Sequence, residues 1–100
     1  MQMYMRIRDM QGEFLVSICD QECMGNTYRE GKFSLKITSK FYGEQLVPLE
    51  KAIQELKKAT IANLVGNTII KECIRCGLIH EKGVIWIDGV PHAQIIKMAK

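Results

Sequence analysis

The chain has 100 residues with a formal net charge of +3, of which 47% are hydrophobic and 25% are charged. This composition excludes a disordered chain, and the length predicts a single domain over residues 1–100. No apolar run reaches the roughly 18 residues of a membrane span, and the N-terminus lacks the pattern of a signal peptide, so we expect a cytoplasmic protein without membrane contact.

The first half of the chain contains three predicted strands. Residues 3–9 alternate apolar and polar side chains, which predicts a strand with one exposed face. Residues 14–19 are apolar on both faces apart from Ser17, which is typical of a central strand covered on both sides. A turn that ends at Gly12 joins the two into a hairpin. Residues 33–38 alternate again and predict a third strand, nearer an edge of the sheet.

Two helices are predicted in the second half. The first begins at Pro48, and apolar side chains from Leu49 to Ala59 fall at helical spacing. Asn67 or Thr68 is predicted to cap the second helix, which ends at Gly77, a residue that suits the left-handed position after a helix.

Three further strands complete the predicted order. Residues 61–65 are interpreted as a strand, with a continuation of the first helix as the alternative. Residues 84–88 and 92–98 are interpreted as two strands around an Asp-Gly turn. The order β-β-β-α-β-α-β-β predicts an α/β fold, a single mixed sheet of about six strands with two helices. The third strand, the first helix and the fourth strand are candidates for a right-handed crossover unit.

The four cysteines are the first candidates for chemistry. Cys19 and Cys23 form one pair and Cys73 and Cys76 another, so a zinc site and a redox pair are both considered. Cys73 and Cys76 fall on the apolar side of a predicted helix, and Cys19 ends a buried strand. We therefore expect these side chains to pack in the core, and we expect neither a metal nor a cofactor.

The turn at residues 66–68 is the second candidate. Free backbone N–H groups at the start of a helix attract anions, so Gly66, Asn67 and Thr68 are a candidate phosphate site, and a simple strand-to-helix turn is the alternative. Residues 51–100 carry eight basic and four acidic side chains, against six and seven in residues 1–50. Basic side chains near the predicted turn and helices would then contact phosphate: Lys57, Lys58, Lys71 and Arg75.

Aromatic and histidine side chains leave several interpretations open. His92, at the start of the last strand, is interpreted as a structural hydrogen-bonding residue, with a catalytic base as the alternative. Trp86 is expected in the core. Phe41 and Tyr42 either stack on a base or close the end of the core.

The chain resembles the small archaeal family catalogued as domain of unknown function 424. The resemblance covers residues 14–98, and ANLVG at 62–66 and GVPHAQ at 89–94 are its most specific motifs. It implies an archaeal cytoplasmic protein of unassigned reaction, in a setting of translation or RNA. The family pattern does not demand cysteine at positions 23, 73 and 76, which argues further against zinc. The other motifs are Cys19-Asp20, Met24-Gly25, Phe41-Tyr42-Gly43 and Gly77-Leu78-Ile79.

The motif residues are mostly polar or glycine, and we expect them to lie in turns that can form one binding site. We predict a non-enzymatic protein that binds RNA or a translation component. The alternatives are a homodimer or a subunit that binds another protein, and a small enzyme that uses Asp20, Asn63 and His92. The candidate ligand-binding residues are Asp20, Tyr42, Asn63, Gly66, Asn67, Thr68, Lys71, His92 and Gln94.

Overall fold

A computed structural model describes residues 1–97, which form one six-stranded mixed sheet, a separate two-stranded sheet and three α-helices. The predicted fold class is therefore confirmed. The elements in chain order are β1 (Gln2–Met10), β2 (Glu13–Asp20), β3 (Thr27–Glu30), β4 (Phe33–Lys36), α1 (Ser39–Tyr42), β5 (Leu46–Pro48), α2 (Leu49–Lys58), β6 (Ile61–Val65), α3 (Asn67–Arg75), β7 (Ile85–Ile87) and β8 (Val90–Ile96).

The strand order of the main sheet is β5-β1-β2-β6-β8-β7. Strands β2 and β6 are parallel at its centre, and the other neighbours are antiparallel. Because β5 therefore runs parallel to β6, helix α2 connects two parallel strands of one sheet. The crossover unit is thus β5-α2-β6, and the prediction that the third strand opens it is wrong. Strand β5 was missed because it has three residues and ends in Pro48, which also precedes the helix.

The main hydrophobic core lies between one face of the sheet, called here the helix face, and helices α2 and α3. Leu56 and Ile69 supply fully buried side chains from the helices, and Val16, Ile18 and Leu64 supply them from the central strands. Side chains on a strand alternate between faces, so the neighbours of these residues along β2 and β6 point to the opposite face.

The opposite face of the sheet carries a second, smaller core. Residues 21–42 form a lobe that covers one end of this face, and its side chains pack on Cys19 of β2 and Val65 of β6. Tyr42 is buried there, so the interpretation that it closes a core is confirmed, whereas Phe41 is exposed. The rest of this surface is called here the open face. Neither α2 nor α3 packs on it, and α1 contacts β1 and β2 at its border.

Three sequence-based expectations differ from the structure. Strand β4 pairs only with β3, so the predicted third strand does not join the main sheet, and Phe33 is 64% exposed. Trp86, expected in the core, is 56% exposed because β7 is the edge of the sheet. Cys76, expected in the buried stripe of the second helix, directly follows α3 and is exposed. The predicted last strand extended to residue 98, which lies outside the described residues.

Candidate ligand-binding face of the sheet

The turn at residues 66–68 already holds an anion that the chain itself supplies. The Asp20 carboxylate accepts hydrogen bonds from the backbone N–H of Thr68 at 2.7 Å and of Ile69 at 3.0 Å. These are two of the N–H groups that the first turn of a helix leaves without a partner. Asp20 therefore caps α3 from a position 48 residues away, in place of the capping by Asn67 or Thr68 that was predicted.

Asp20 and Gly66 fit against each other. Gly66 has a φ of +119°, and a Cβ atom at this position would lie 2.2 Å from the Asp20 Cγ. The Asp20 side chain is 1% exposed, and its burial raises the pKa of the carboxyl, while the N–H bonds from Thr68 and Ile69 act in the opposite direction. Within the predicted phosphate turn, the Gly66 N–H donates to the Pro91 carbonyl and the Thr68 N–H donates to Asp20, and a second anion would meet the Asp20 carboxylate.

A row of polar side chains crosses four adjacent strands on the open face. Arg6 of β1 pairs with Ser17 of β2, Ser17 with Asn63 of β6, and Asn63 with Gln94 of β8. Ser17 and Asn63 each lie two residues from a member of the second core, so the row is on the same side of the sheet as that core. Two motif residues predicted as ligand contacts, Asn63 and Gln94, therefore meet on this face.

The two amides of the row hydrogen-bond to each other. The Gln94 Nε2 donates to the Asn63 Oδ1 at 3.0 Å, which fixes both side chains across the β6–β8 ladder. The pair retains one NH₂ donor on Asn63 and one carbonyl acceptor on Gln94, and neither has another hydrogen-bonding partner within residues 1–97. A rigid donor and acceptor on an accessible surface can pair with the polar edge of a ligand.

A second row, apolar and basic, runs beside the polar one. Arg8 pairs with Leu15, Leu15 with Ile61, and Ile61 with Ile96, which is 66% exposed. The Arg8 guanidinium lies 6.0 Å from the centre of the Phe41 ring, and its Nη2 donates to the Lys40 carbonyl at 3.4 Å. The open face thus offers two arginines at one side and flat apolar surface beside the amides.

The other predicted ligand residues lie elsewhere. His92 pairs with Val65 in the row next to the one that contains Asn63 and Gln94. Burial lowers the pKa of His92, which favours the neutral imidazole. Tyr42 belongs to the lobe and is buried in the second core, and burial raises the pKa of its phenol. Asn67 and Lys71 are exposed at the start of α3, on the helix side of the molecule.

Basic side chains on the helices are partly engaged by acids. Lys58 lies 3.3 Å from the Glu55 carboxylate, and the Arg75 guanidinium lies 2.6 Å from Glu72. The basic member of each pair is exposed, and such surface pairs lower the positive charge that the helices present.

The cysteines do not surround one point. Cys19 and Cys23 belong to the second core, whereas Cys73 lies in the main core on the other side of the sheet and Cys76 is exposed. Burial raises the pKa of both Cys19 and Cys73 to about 12. Within residues 1–97 no group of three or more His, Cys, Asp or Glu side chains is arranged to hold a metal ion.

The three residues of the enzyme alternative are also separated. Asp20 lies on the helix face, two residues after Ile18, and its carboxylate is bound to α3. Asn63 and His92 lie on the opposite face. The sheet therefore stands between the carboxylate and the imidazole.

Comparisons with known proteins concern the family and the fold. The family model "Protein of unknown function (DUF424)" matches residues 8–98, which confirms the resemblance found in the sequence. A crystal structure of an uncharacterized conserved protein from Methanopyrus kandleri is similar with a TM-score of 0.81 and 19% identity, over 100% of this chain and 96% of that one. That similarity shows a shared fold. No curated protein matches the chain. No helix in the described part of the chain is long and apolar enough to cross a membrane.

Proposed function

The chain belongs to the DUF424 family of proteins of unknown function, and we propose that it binds single-stranded RNA on the open face of its sheet. The observation that carries this proposal is the row of Arg6, Ser17, Asn63 and Gln94 on four adjacent strands. Helices α2 and α3 pack on the other face, and Ser17 is the one member of the row that is buried, with 8% exposure. The association with RNA or translation that the sequence predicted stays a prediction, and its contact surface moves from the α3 turn to the sheet.

The chemistry of the open face suits unpaired bases. Sequence-specific recognition of RNA uses single strands whose bases stack on flat side chains and hydrogen-bond through their edges. The Asn63–Gln94 amide pair offers one donor and one acceptor for such an edge. Leu15, Ile61 and Ile96 form the apolar surface beside it, on which a base can rest.

The arginines place the positive charge of the open face at one side. Arg6 and Arg8 lie on β1, at one side of the amide pair, where their guanidinium groups can contact two phosphates of a strand that crosses the sheet. The exposed ring of Phe41 lies under Arg8 and provides an aromatic stacking partner at the same side. Stacking on an aromatic ring contributes roughly 1–3 kcal/mol per base.

The test is binding of fluorescein-labelled oligouridylate and oligoadenylate, each about eight nucleotides long, measured by fluorescence anisotropy at several salt concentrations. We expect the logarithm of the binding constant to fall linearly with the logarithm of the salt concentration. Replacing Arg6 and Arg8 by glutamine should lower the slope by about 0.7 for each arginine, the value for a phosphate contact on a single strand.

The matched control removes the same charge from the helix side. The double variant Lys57→Gln/Lys71→Gln should leave the slope and the affinity unchanged. Asn63→Ala and Gln94→Ala should each weaken binding about ten-fold without altering the slope, because they remove base contacts and not phosphate contacts. Absence of binding at low salt, or an equal loss in the helix-side control, would contradict the proposal.

A further inference from the structure

The outer edge of β7 has no pairing strand among the described residues, although β3 and β4 contact this strand. This strand is last in the sheet order, and among the described residues no strand pairs with its outer side. Ile85 and Trp86 are 54% and 56% exposed on its two faces. An exposed apolar edge strand readily pairs with another chain, and proteins usually protect such edges with charges or prolines inside the strand. The sequence IWI of β7 contains neither.

The hairpin geometry determines which backbone groups face outward. Strands β7 and β8 are joined by Asp88 and Gly89 alone, with φ of +51° and +77°, so Ile87 and Val90 form the hydrogen-bonded pair next to the turn. Trp86, opposite Pro91, is then at a non-hydrogen-bonded position of the ladder. Its backbone N–H therefore points outward from the free edge of β7, in the plane of the sheet. By the same alternation the Val84 carbonyl points outward as well.

The usable part of the edge is short and well defined. Toward the turn, the Glu30 carboxylate accepts a hydrogen bond from the Asp88 N–H at 2.7 Å, which closes the edge there. On the other side, the Val84 N–H donates to the Glu81 carbonyl at 3.2 Å. An incoming strand can therefore bond to the Trp86 N–H and the Val84 carbonyl.

We propose that this edge pairs antiparallel with β7 of a second copy of the chain, about a two-fold axis at Ile85. In this register Trp86 lies opposite Val84 of the second copy. The backbone N–H of each Trp86 therefore donates to the backbone carbonyl of Val84 in the other copy. The two Ile85 side chains meet at the axis, on one face of the joined sheets. The proposal concerns a surface other than the open face and does not depend on RNA binding.

The side chains next to the edge are complementary to themselves, as a two-fold interface requires. Beside Trp86, on the helix face, lies a groove of about 400 Å³ whose apolar walls include Ile70, Ile74 and Val84. Because Trp86 lies opposite Val84 in the proposed register, the indole of each copy reaches the groove of the other. A large aromatic side chain in an apolar groove is the usual anchor of an interface.

The charges at the two ends of the strand favour the same partner. Lys82 lies beside Glu81 in a 3₁₀ turn before β7, and Asp88 follows β7 next to the Glu30 carboxylate. An antiparallel pairing brings the Lys82 end of one copy toward the Asp88 end of the other. A parallel arrangement would bring like charges together. The free edge is therefore matched in length, apolar surface and charge to a second copy of itself.

The first experiment uses the fluorescence of Trp86, the one tryptophan of the chain. Sedimentation equilibrium and intrinsic emission are measured over a range of protein concentrations. We expect a monomer–dimer equilibrium, with the emission shifting to the blue and acrylamide quenching decreasing as the dimer forms. Trp86→Ala should raise the dissociation constant at least about ten-fold, as replacement of an anchor does.

A charge exchange tests the register. Lys82→Glu should weaken the dimer, because it brings an added acid near the Asp88 end of the other copy. Adding Asp88→Asn should restore part of the affinity while keeping a residue that tolerates the turn. Phe33→Ser, at another exposed apolar side chain, is the matched control and should leave the dissociation constant unchanged.

Two results would overturn the proposal. One is a monomer at all concentrations with Trp86 fully open to acrylamide. The other is a dimer whose dissociation constant is the same in wild type and in Trp86→Ala, with both proteins folded by circular dichroism. Because RNA binding is measured separately on the open face, failure of the dimer leaves that proposal unaffected.

Discussion

At the scale of single residues, Asp20 and Gly66 explain why two separate motifs of the sequence are needed together. Asp20 ends β2 and Gly66 directly follows β6, and the two strands lie side by side in parallel. The carboxylate fills the space that a side chain at position 66 would need and satisfies the first turn of α3. A pair that looks like the components of a phosphate site is thus a capping arrangement within the fold.

Replacing Gly66 by alanine tests this arrangement. The added Cβ would lie 2.2 Å from the Asp20 Cγ, and a φ of +119° is unfavourable for alanine. We expect Gly66→Ala to lower the free energy of unfolding by roughly 3 kcal/mol or more, because strain and a displaced cap combine. Urea unfolding followed by circular dichroism provides the measurement.

Gly77→Ala is the matched control for the same measurement. Gly77 also has a positive φ, +76°, but nothing lies within 4 Å of its Cβ position. This variant should lose only the conformational part, about 1 kcal/mol. Equal losses in the two variants would mean that contact with Asp20 does not determine the choice of glycine at position 66.

At the scale of elements, local patterns predicted the long elements well and the short ones poorly. The bounds of β6 agree with the prediction, and α3 ends before Gly77 as expected, because each depends on the side chains of its own residues. Strands β3 and β5 have four and three residues and lie in polar or proline-containing sequence, where alternation is too brief to recognise. Their pairing energy comes from neighbours that are distant in the sequence.

The candidate site was predicted in part for the same reason. Asn63 and Gln94 were identified as ligand residues, and they do meet on the open face, since both lie on long strands with readable alternation. Arg6 and Ser17 were missed because only the sheet register brings them into the row. The role of Asp20 could not be found because its hydrogen-bonding partners are 48 and 49 residues away.

The burial of the four cysteines predicts which thiols react in the native protein. Cys73 is on the buried side of α3, where burial raises the thiol pKa to about 12, and Cys76, the residue that follows the helix, is exposed. Cys19 and Cys23 are buried in the second core, and burial raises the pKa of both. Because the thiolate is the reactive form, we expect one thiol of the four to react rapidly with an aromatic disulfide reagent in the native protein.

Denaturation should expose the remaining three thiols to the reagent. In Cys76→Ser the rapid phase should disappear while the slow thiols are unchanged, and Cys73→Ser should retain the rapid phase. Reaction of two or more thiols at the rate of the exposed one would show that a buried cysteine is accessible, contrary to the burial of Cys19, Cys23 and Cys73.

At the scale of the whole molecule, the sheet separates two cores of unequal size. The main core joins the sheet to α2 and α3, and the second core joins one end of the other face to residues 21–42. The proposed RNA surface is the part of that face that the lobe leaves uncovered, and the proposed dimer edge lies at the far side of the sheet from β1. The two surfaces can therefore be occupied at the same time.

The unequal cores predict unequal local stability. Most residues of β3 and β4 are exposed, and the two strands pair only with each other, whereas β2 and β6 are paired on both sides and packed against the helices. Local openings require less free energy where few apolar contacts are broken. We expect backbone amides of residues 27–36 to exchange with deuterium at least about a hundred-fold faster than those of 61–65, since each factor of ten corresponds to 1.4 kcal/mol. Peptide-resolved hydrogen exchange measures both segments in one sample. Equal protection of the amides in the two segments would mean that the lobe and the sheet open as one cooperative unit. The second core would then stabilise the lobe as much as the main core stabilises the sheet.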